Sequence, residues 1–205
     1  MAPRIVCAAI AASLLSACAM LSASAPLFAV ADQDPAFALA EGLWAAKEAD
    51  CKVDPRSSKP ERDTCLDWAR ISHAPDGAWI VSGLTADEAP LRVVIAAAAP
   101  RGSHAMAPLY VAESVNQKTG EIGYGALVPR GDQTGAVKRL TVAGVSCDVA
   151  TGDHGEIAAI TVTREDGKVV RCIAATQDAV REATRRAVID TLATLGESEL
   201  VYVRP

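Results

Sequence analysis

Short apolar segments separated by turn residues follow one another from residue 66 to the C-terminus. Segments rich in Val, Ile, Leu and Tyr, bounded by Pro, Gly, Asn and Asp, are typical of antiparallel strands joined by hairpins. Asp166-Gly167 gives the strongest hairpin signal, because both residues tolerate the positive φ of a tight turn. The predicted strands cover residues 66–73, 78–82, 91–99, 109–115, 121–128, 137–149, 157–164, 168–174 and 199–204.

One segment near the C-terminus has helical periodicity instead. Apolar side chains recur every three or four positions between residues 177 and 195, which places them on one helix face. Thr176 suits the N-cap, and Gly196 suits a left-handed end. The apolar face consists of Val180, Ala183, Ala187, Val188, Thr191, Leu192 and Leu195. Because these side chains are small, packing on a sheet is favoured over binding to a membrane or partner.

The segment that follows Asp34 allows two interpretations. Asp34 and Pro35 suit the N-cap and first turn of a helix, which the Ala-rich stretch 36–49 would continue. Gly42 interrupts that stretch, and Gly42-Leu43-Trp44 is equally consistent with the start of a strand that leads to Cys51. The sequence leaves both interpretations open.

Together these elements predict an α+β fold in a single domain, residues 32–205. We expect six to eight of these strands to pair antiparallel in a β-rich sheet or partial barrel, with one long C-terminal helix packed on it. No internal repeat is evident in the sequence.

The first 31 residues are predicted to be a targeting segment and tether. Arg4 is their only charged residue, and the uncharged apolar stretch 5–15 follows it, as in signal peptides. The apolar run is interrupted before it reaches the roughly 20 residues that a membrane-spanning helix needs. We therefore expect the protein to be exported.

Two processing sites are present in this segment. Leu15-Ser16-Ala17-Cys18 resembles the lipobox of bacterial lipoprotein precursors, which implies that Cys18 is lipidated and becomes the mature N-terminus. Ala19 beside it then implies sorting to the outer membrane. Ala29-Val30-Ala31 before Asp32 fits ordinary signal peptidase, which would release a free periplasmic protein. Both sites stay open, with lipidation favoured.

The sequence contains six cysteines, of which Cys7 and Cys18 lie in the targeting segment. The other four are Cys51, Cys65, Cys147 and Cys172. An even number in an oxidising compartment predicts two disulfides, for which three pairings exist. We favour Cys51–Cys65 and Cys147–Cys172, because each pair brackets a segment that can turn back on itself. No CxxC or paired-His spacing supports a metal site instead.

Composition and motifs argue against several classes of protein. With 50% hydrophobic and 22% charged residues, the chain is globular rather than disordered. Its net charge of −5, without a basic cluster, argues against nucleic acid as a partner. The sequence contains no GxSxG, HExxH, SxxK or GxxxxGK motif, and we predict no cofactor. Enzymatic activity is uncertain, and a non-enzymatic role is favoured.

One polar segment gathers potential metal ligands and acid/base groups. Its chemistry-bearing residues are Asp148, Asp153, His154 and Glu156. Oxygen and imidazole donors at this spacing suit a divalent cation, or a general base with an orienting partner. The alternative, which we favour, is a polar Gly-rich connection between strands. His73 and His104 are predicted to lie apart from it, at a turn edge and in a loop.

The aromatic residues allow a second candidate site. They make up 4% of the chain, so most are expected in the core. A ligand pocket lined by aromatic side chains would draw on Trp44, Trp68, Trp79, Tyr110 and Tyr124. Gly42-Leu43-Trp44, followed by Cys51 and Cys65, resembles the opening of lipocalin-like periplasmic protease inhibitors. That resemblance implies a Trp packed at a barrel base, a disulfide nearby and a binding role.

These observations lead to three functional hypotheses. The first is an exported, lipid-tethered envelope protein that is not an enzyme and serves as a structural module, or binds an envelope protein or small ligand. The second is a periplasmic inhibitor of a protease or lysozyme. The third is a hydrolase or metal-dependent enzyme centred on residues 148–156. The sequence names no ligand or partner, and membrane contact is expected only through the lipid anchor.

Overall fold

The computed structural model describes residues 19–47, 66–83, 89–98, 108–131, 135–151, 155–194 and 198–205. The strands are β1 Leu21–Ala23, β2 Gly42–Lys47, β3 Leu66–His73, β4 Trp79–Gly83, β5 Leu91–Ala97, β6 Tyr110–Asn116, β7 Ile122–Pro129, β8 Arg139–Gly144, β9 Ile160–Glu165, β10 Lys168–Ala174 and β11 Ser198–Arg204. The helix α1 is Gln177–Thr194, and 3-10 turns occupy Val30–Asp32 and Cys147–Ala150.

Eight of these strands form a closed antiparallel barrel. Strands β2 to β8 pair in sequence order, and β11 completes the ring by pairing with β8 on one side and β2 on the other. Closure pairs every edge, so the barrel leaves none exposed. The predicted antiparallel, β-rich domain with one packed helix is confirmed, but the sheet closes completely rather than forming a partial barrel.

Strand β5 is apolar from Val93 to Ala97, and both of its faces are covered there. Val93 and Ile95 point into the barrel, whereas Val94 and Ala96 point outward and are covered by a second layer of structure. A strand that is buried on both faces has no polar side to expose. The strand predicted over residues 91–99 is confirmed, with the observed bounds Leu91–Ala97.

The second layer consists of α1 and a three-stranded sheet in the order β1-β10-β9, packed outside the barrel. Strand β1 runs parallel to β10, and Leu21 is opposite Cys172. The Cys147–Cys172 disulfide joins the turn that follows β8 to β10. The predicted Cys147–Cys172 pairing is thus confirmed, whereas Cys51 and Cys65 lie outside the described residues.

Helix α1 begins as predicted, because the Thr176 hydroxyl accepts the amide N–H of Ala179. Val180, Ala183 and Ala187 are buried against the barrel, as their spacing indicates. Gly196 lies outside the described residues. No helix in the described ranges is both long and apolar enough to span a membrane.

Three arginines on α1 bind main-chain carbonyls of neighbouring elements. Arg181 donates to the Ala97 oxygen at 3.2 Å, and Arg185 donates to that of Ala98 at 2.7 Å. Arg186 donates to the Gly155 oxygen at 2.6 Å. Because charge-assisted hydrogen bonds are stronger than neutral ones, these contacts fix the position of the helix on the barrel.

The hairpin signals in the sequence correspond to observed turns. Asp166 and Gly167 have φ of 49° and 76° and connect β9 to β10, so the Asp-Gly prediction is confirmed. The turn between β3 and β4 places Gly77 at φ 89°. These conformations favour Gly and Asp because larger side chains clash there.

Three expectations need correction. The helical interpretation of residues 36–49 is wrong for the described part, residues 36–47, because β2 begins at Gly42, whose φ of 140° is unsuited to a helix. The strand predicted over 137–149 ends at Gly144 and is followed by a 3-10 turn. The described residues form eleven strands rather than six to eight: eight close the barrel, and β1, β9 and β10 form a separate sheet outside it.

Removing the disulfide with the double variant C147A/C172A should destabilise the protein. Its cysteines are 25 residues apart, for which the chain-entropy model gives about 3.5 kcal/mol. Urea denaturation of the unreduced proteins measures the difference. S146A, beside the bridge, is the control and should change stability by less than about 0.5 kcal/mol. Equal stability of the double variant and the wild type would contradict the bridge.

Candidate functional site

Residues 19–41, which we call the N-terminal strap, are part of the folded domain. The strap begins between β10 and the segment after β8: Leu21 N–H donates to the Val145 oxygen at 2.9 Å, and Ala19 oxygen accepts from Cys147 N–H at 2.7 Å. Leu21 is completely buried, and Phe28 is 3% exposed. Residues 19–31 of the predicted targeting segment therefore contribute both hydrogen bonds and apolar side chains to the fold.

A buried carboxyl group holds the middle of the strap. Glu113 on β6 is 1% exposed and is the only fully buried charged side chain among the described residues. Its Oε2 accepts the Leu27 amide N–H at 2.7 Å and the Tyr124 hydroxyl at 2.9 Å. The Phe28 amide N–H also points to this carboxylate, at 3.3 Å from each oxygen. These three donors offset the desolvation of the carboxylate.

Tyr124 is affected by the same environment. Its side chain on β7 is buried opposite Glu113 on the neighbouring strand. Burial raises the pKa of the Tyr124 phenol above its ordinary value, and the negative Glu113 carboxylate raises it further. The phenol therefore stays protonated and donates its hydrogen bond throughout the physiological pH range.

The strap then crosses one end of the barrel and closes it. Gln33 forms an isolated bridge with Ala96 of β5, and its amide donates to the Gly77 oxygen at 3.0 Å. Phe37 packs on Tyr110 with ring centroids 4.2 Å apart. On the far side, Ala40 N–H donates to the Val137 oxygen at 3.0 Å. The end of the barrel that carries the β3–β4 turn is thus covered by the chain itself.

The barrel interior contains a small apolar cavity of about 60 Å³. Its lining includes Leu39, Ile71, Trp79, Ile95, Leu127 and Leu200. An engineered cavity that binds benzene measures about 150 Å³, so this space is too small even for that ligand without rearrangement. The interior is therefore mainly a packed core.

The structure brings three of the five predicted pocket aromatics, Trp44, Trp79 and Tyr110, into the barrel core and leaves the other two outside it. Trp44 and Trp79 point into the barrel, where only Trp79 lines the cavity. Trp68 points outward beside Leu43, and Tyr124 belongs to the layer outside the barrel. Alternating strand residues face opposite sides of a sheet, and this geometry separates the aromatic residues.

Only two of the four residues of the predicted polar cluster lie in the described part of the chain. Asp148 and Glu156 are exposed, and Asp153 and His154 lie outside the described residues. Cys18 and His104 are likewise outside them. Within the described ranges, no three His, Cys, Asp or Glu side chains are grouped so that they could hold a metal ion.

His73 lies at the closed end of the barrel in contact with Glu41. Its Nδ1 is 3.0 Å from Glu41 Oε1, and its ring packs on Trp79 with centroids 3.7 Å apart. Hydrogen bonding from the His73 side chain, followed by that from its amide, holds the pKa of Glu41 below its ordinary value. Both side chains are exposed, so solvent screens their interaction.

A larger groove of about 640 Å³ lies on the surface between β1, β10 and the β6–β7 hairpin. It is lined by Met20, Ser22, Ala23, Ser24, Leu91, Ser114, Asn116, Thr119, Gly120, Glu121, Ile122, Gly123 and Arg171. Ser114 also borders the barrel cavity, so the groove lies at the barrel end opposite the one that strap residues 33–40 cover. Its volume falls within the range of about 300–1,000 Å³ typical of small-molecule sites.

No protein-family model, no curated protein and no solved structure matches this chain. The strap and the groove are therefore the features of the molecule from which a function can be inferred.

Replacing Glu113 tests its role in holding the strap. E113A leaves two amide N–H groups and one hydroxyl without their acceptor, so we expect a loss of about 2–5 kcal/mol in unfolding free energy. Hydrogen exchange at the Leu27 and Phe28 amides should accelerate. The control E165Q changes an exposed carboxylate and should leave both measurements near wild type. Unchanged exchange at Leu27 in E113A would show that Glu113 does not hold the strap.

Alkaline pH should weaken the fold through Tyr124. The pKa of Tyr124 is higher in the folded state than in the unfolded state, where it is near 10. The protonated phenol therefore stabilises the fold fully below about pH 10, and this stabilisation decreases as the pH rises above that value. Urea denaturation between pH 8 and 11 should show wild-type stability decreasing more steeply than that of Y124F. Parallel pH profiles for the two proteins would contradict this assignment.

Proposed function

We propose that the protein is an exported envelope protein, tethered by a lipid on Cys18, whose barrel domain is a non-enzymatic binding or structural module. The observation that carries the proposal is the integration of residues 19–31 into the fold. Processing before Cys18 leaves the whole strap in the mature protein. Processing after Ala31 would remove β1, the Leu21 and Phe28 side chains and both amides bound by Glu113.

The energetic difference between the two sites favours lipidation. Burial of a Leu or Phe side chain stabilises a protein by about 1.5–3 kcal/mol for each side chain. A Glu113 carboxylate that stays buried without its two amide donors would lower the stability further. A domain with an ordinary stability of about 5–15 kcal/mol would lose a large part of it. The integration of residues 19–31 into the fold therefore supports processing at the lipobox over processing after Ala31.

The barrel itself supports a lipocalin-like interpretation. Gly42-Leu43-Trp44 lies on β2, the first barrel strand in sequence, and Trp44 is completely buried inside. Its indole N–H donates to the Ala40 oxygen of the strap at 2.8 Å. A Trp packed at the base of a barrel is what the resemblance of this motif implies.

That motif also favours a second candidate function, inhibition of an envelope protease or lysozyme. The protein would then act through an exposed loop or arm outside the barrel. Incubation with a panel of secreted hydrolases distinguishes the two functions. Stoichiometric inhibition of one hydrolase would support the inhibitor, and unaffected rates throughout would exclude it for that panel.

The lipid anchor is tested by expressing the full chain in a Gram-negative host. Mass spectrometry of the mature protein should find an acylated Cys18, and C18S should remain unacylated and uncleaved. C7S is the matched control and should be processed like the wild type. A mature N-terminus at Asp32 would overturn the proposal. In addition, a chain starting at Asp32 should unfold at lower urea concentration than one starting at Ala19.

A further inference from the structure

The surface groove presents both hydrogen-bond donors and acceptors. Ser22 and Ser114 use their hydroxyl hydrogens on the Cys172 and Gly123 carbonyls, each at 3.1 Å, so their oxygens remain as acceptors. Asn116 Oδ1 accepts two amide N–H groups of its own turn, which leaves its NH₂ group as a donor. Such a mixture suits a ligand with several hydroxyl or amide groups.

Two opposite charges line the groove without pairing with each other. Arg171 on β10 is exposed and forms no hydrogen bond or ion pair within the part of the chain that the structure describes. Glu121 belongs to the β6–β7 turn, where its carboxylate accepts the Thr119 hydroxyl at 3.0 Å. An unpaired guanidinium in a concave polar surface is suited to a carboxylate, which it binds through two parallel N–H groups.

Apolar atoms form the remaining part of the lining. These atoms belong to Met20, Leu91 and Ile122. A surface that combines apolar and polar groups in this way matches a sugar ring, which presents both C–H groups and hydroxyl groups. The barrel cavity behind Ser114 is too small for a long acyl chain, as its volume shows. A compact polar ligand fits this arrangement better than a lipid.

We propose that the groove binds an acidic N-acylated sugar. Arg171 contacts the carboxylate, Glu121 accepts a hydroxyl or amide hydrogen, and the serine and asparagine groups bind the remaining polar atoms. The proposal rests on the proposed function in one respect, because Met20 and Ser22 line the groove and are kept only if the chain is not cut after Ala31. It does not require the lipid itself.

N-Acetylmuramic acid and N-acetylglucosamine provide a matched pair of probes. They share the ring and the acetamido group and differ by the lactyl carboxylate. Isothermal titration of the folded protein should show at least a tenfold tighter Kd for the acid, which corresponds to about 1.4 kcal/mol. Added salt should reduce this preference, because it screens the charge on Arg171.

Variants of the hairpin arginines test the contact directly. R171Q should abolish the preference for the acid, and R171K should retain part of it. R164Q is the control, because Arg164 is on the same hairpin and donates to the Gly167 carbonyl outside the groove. Near-UV circular dichroism verifies that each variant is folded. Equal affinity for the two sugars, no binding of either at millimolar concentration, or an unchanged preference in R171Q would each overturn the proposal.

Discussion

The buried Glu113 carboxylate imposes the constraint on which the arrangement of the second layer depends. A charged group removed from water must find hydrogen-bond donors in the protein, or its desolvation destabilises the fold. Among the described residues, those donors are the amides of Leu27 and Phe28 and the hydroxyl of Tyr124. Two of the three belong to the N-terminal strap, so the barrel wall specifies where the strap must lie.

The position of the strap in turn links the barrel to α1. Gln177, at the start of the helix, donates to the Leu27 oxygen at 2.7 Å, and the Arg181 guanidinium lies over the Phe28 ring at 5.3 Å. The strap is therefore held from the barrel by Glu113 and from the helix by Gln177. Its first residues also provide β1, which gives β10 a partner strand. One N-terminal segment thus connects all layers of the domain.

Much of the barrel could be predicted from the sequence, because strand alternation and turn residues are local signals. The bounds of β3 and β10 agree with the predicted ones, and the helix begins where Thr176 indicates. The strap could not be recognised in the same way, since small apolar residues suit both a targeting segment and a protein core. Glu113 has a local signal, because it interrupts an outward-facing apolar row between Val111 and Val115. Its partners are distant in sequence, so no local pattern identifies them.

The two ends of the barrel have different chemistry, and the proposed lipid anchor would lie near the polar end. The strap fills one end with Phe37 and other apolar residues, whereas Ser114 and the polar groove occupy the other. Met20 lines that groove and follows Cys18 by two residues, a distance of at most about 7 Å along an extended chain. A lipid on Cys18 would therefore hold the groove close to the membrane surface. The groove would then meet its ligands at the membrane surface. This position favours components of the surrounding envelope over freely diffusing solutes.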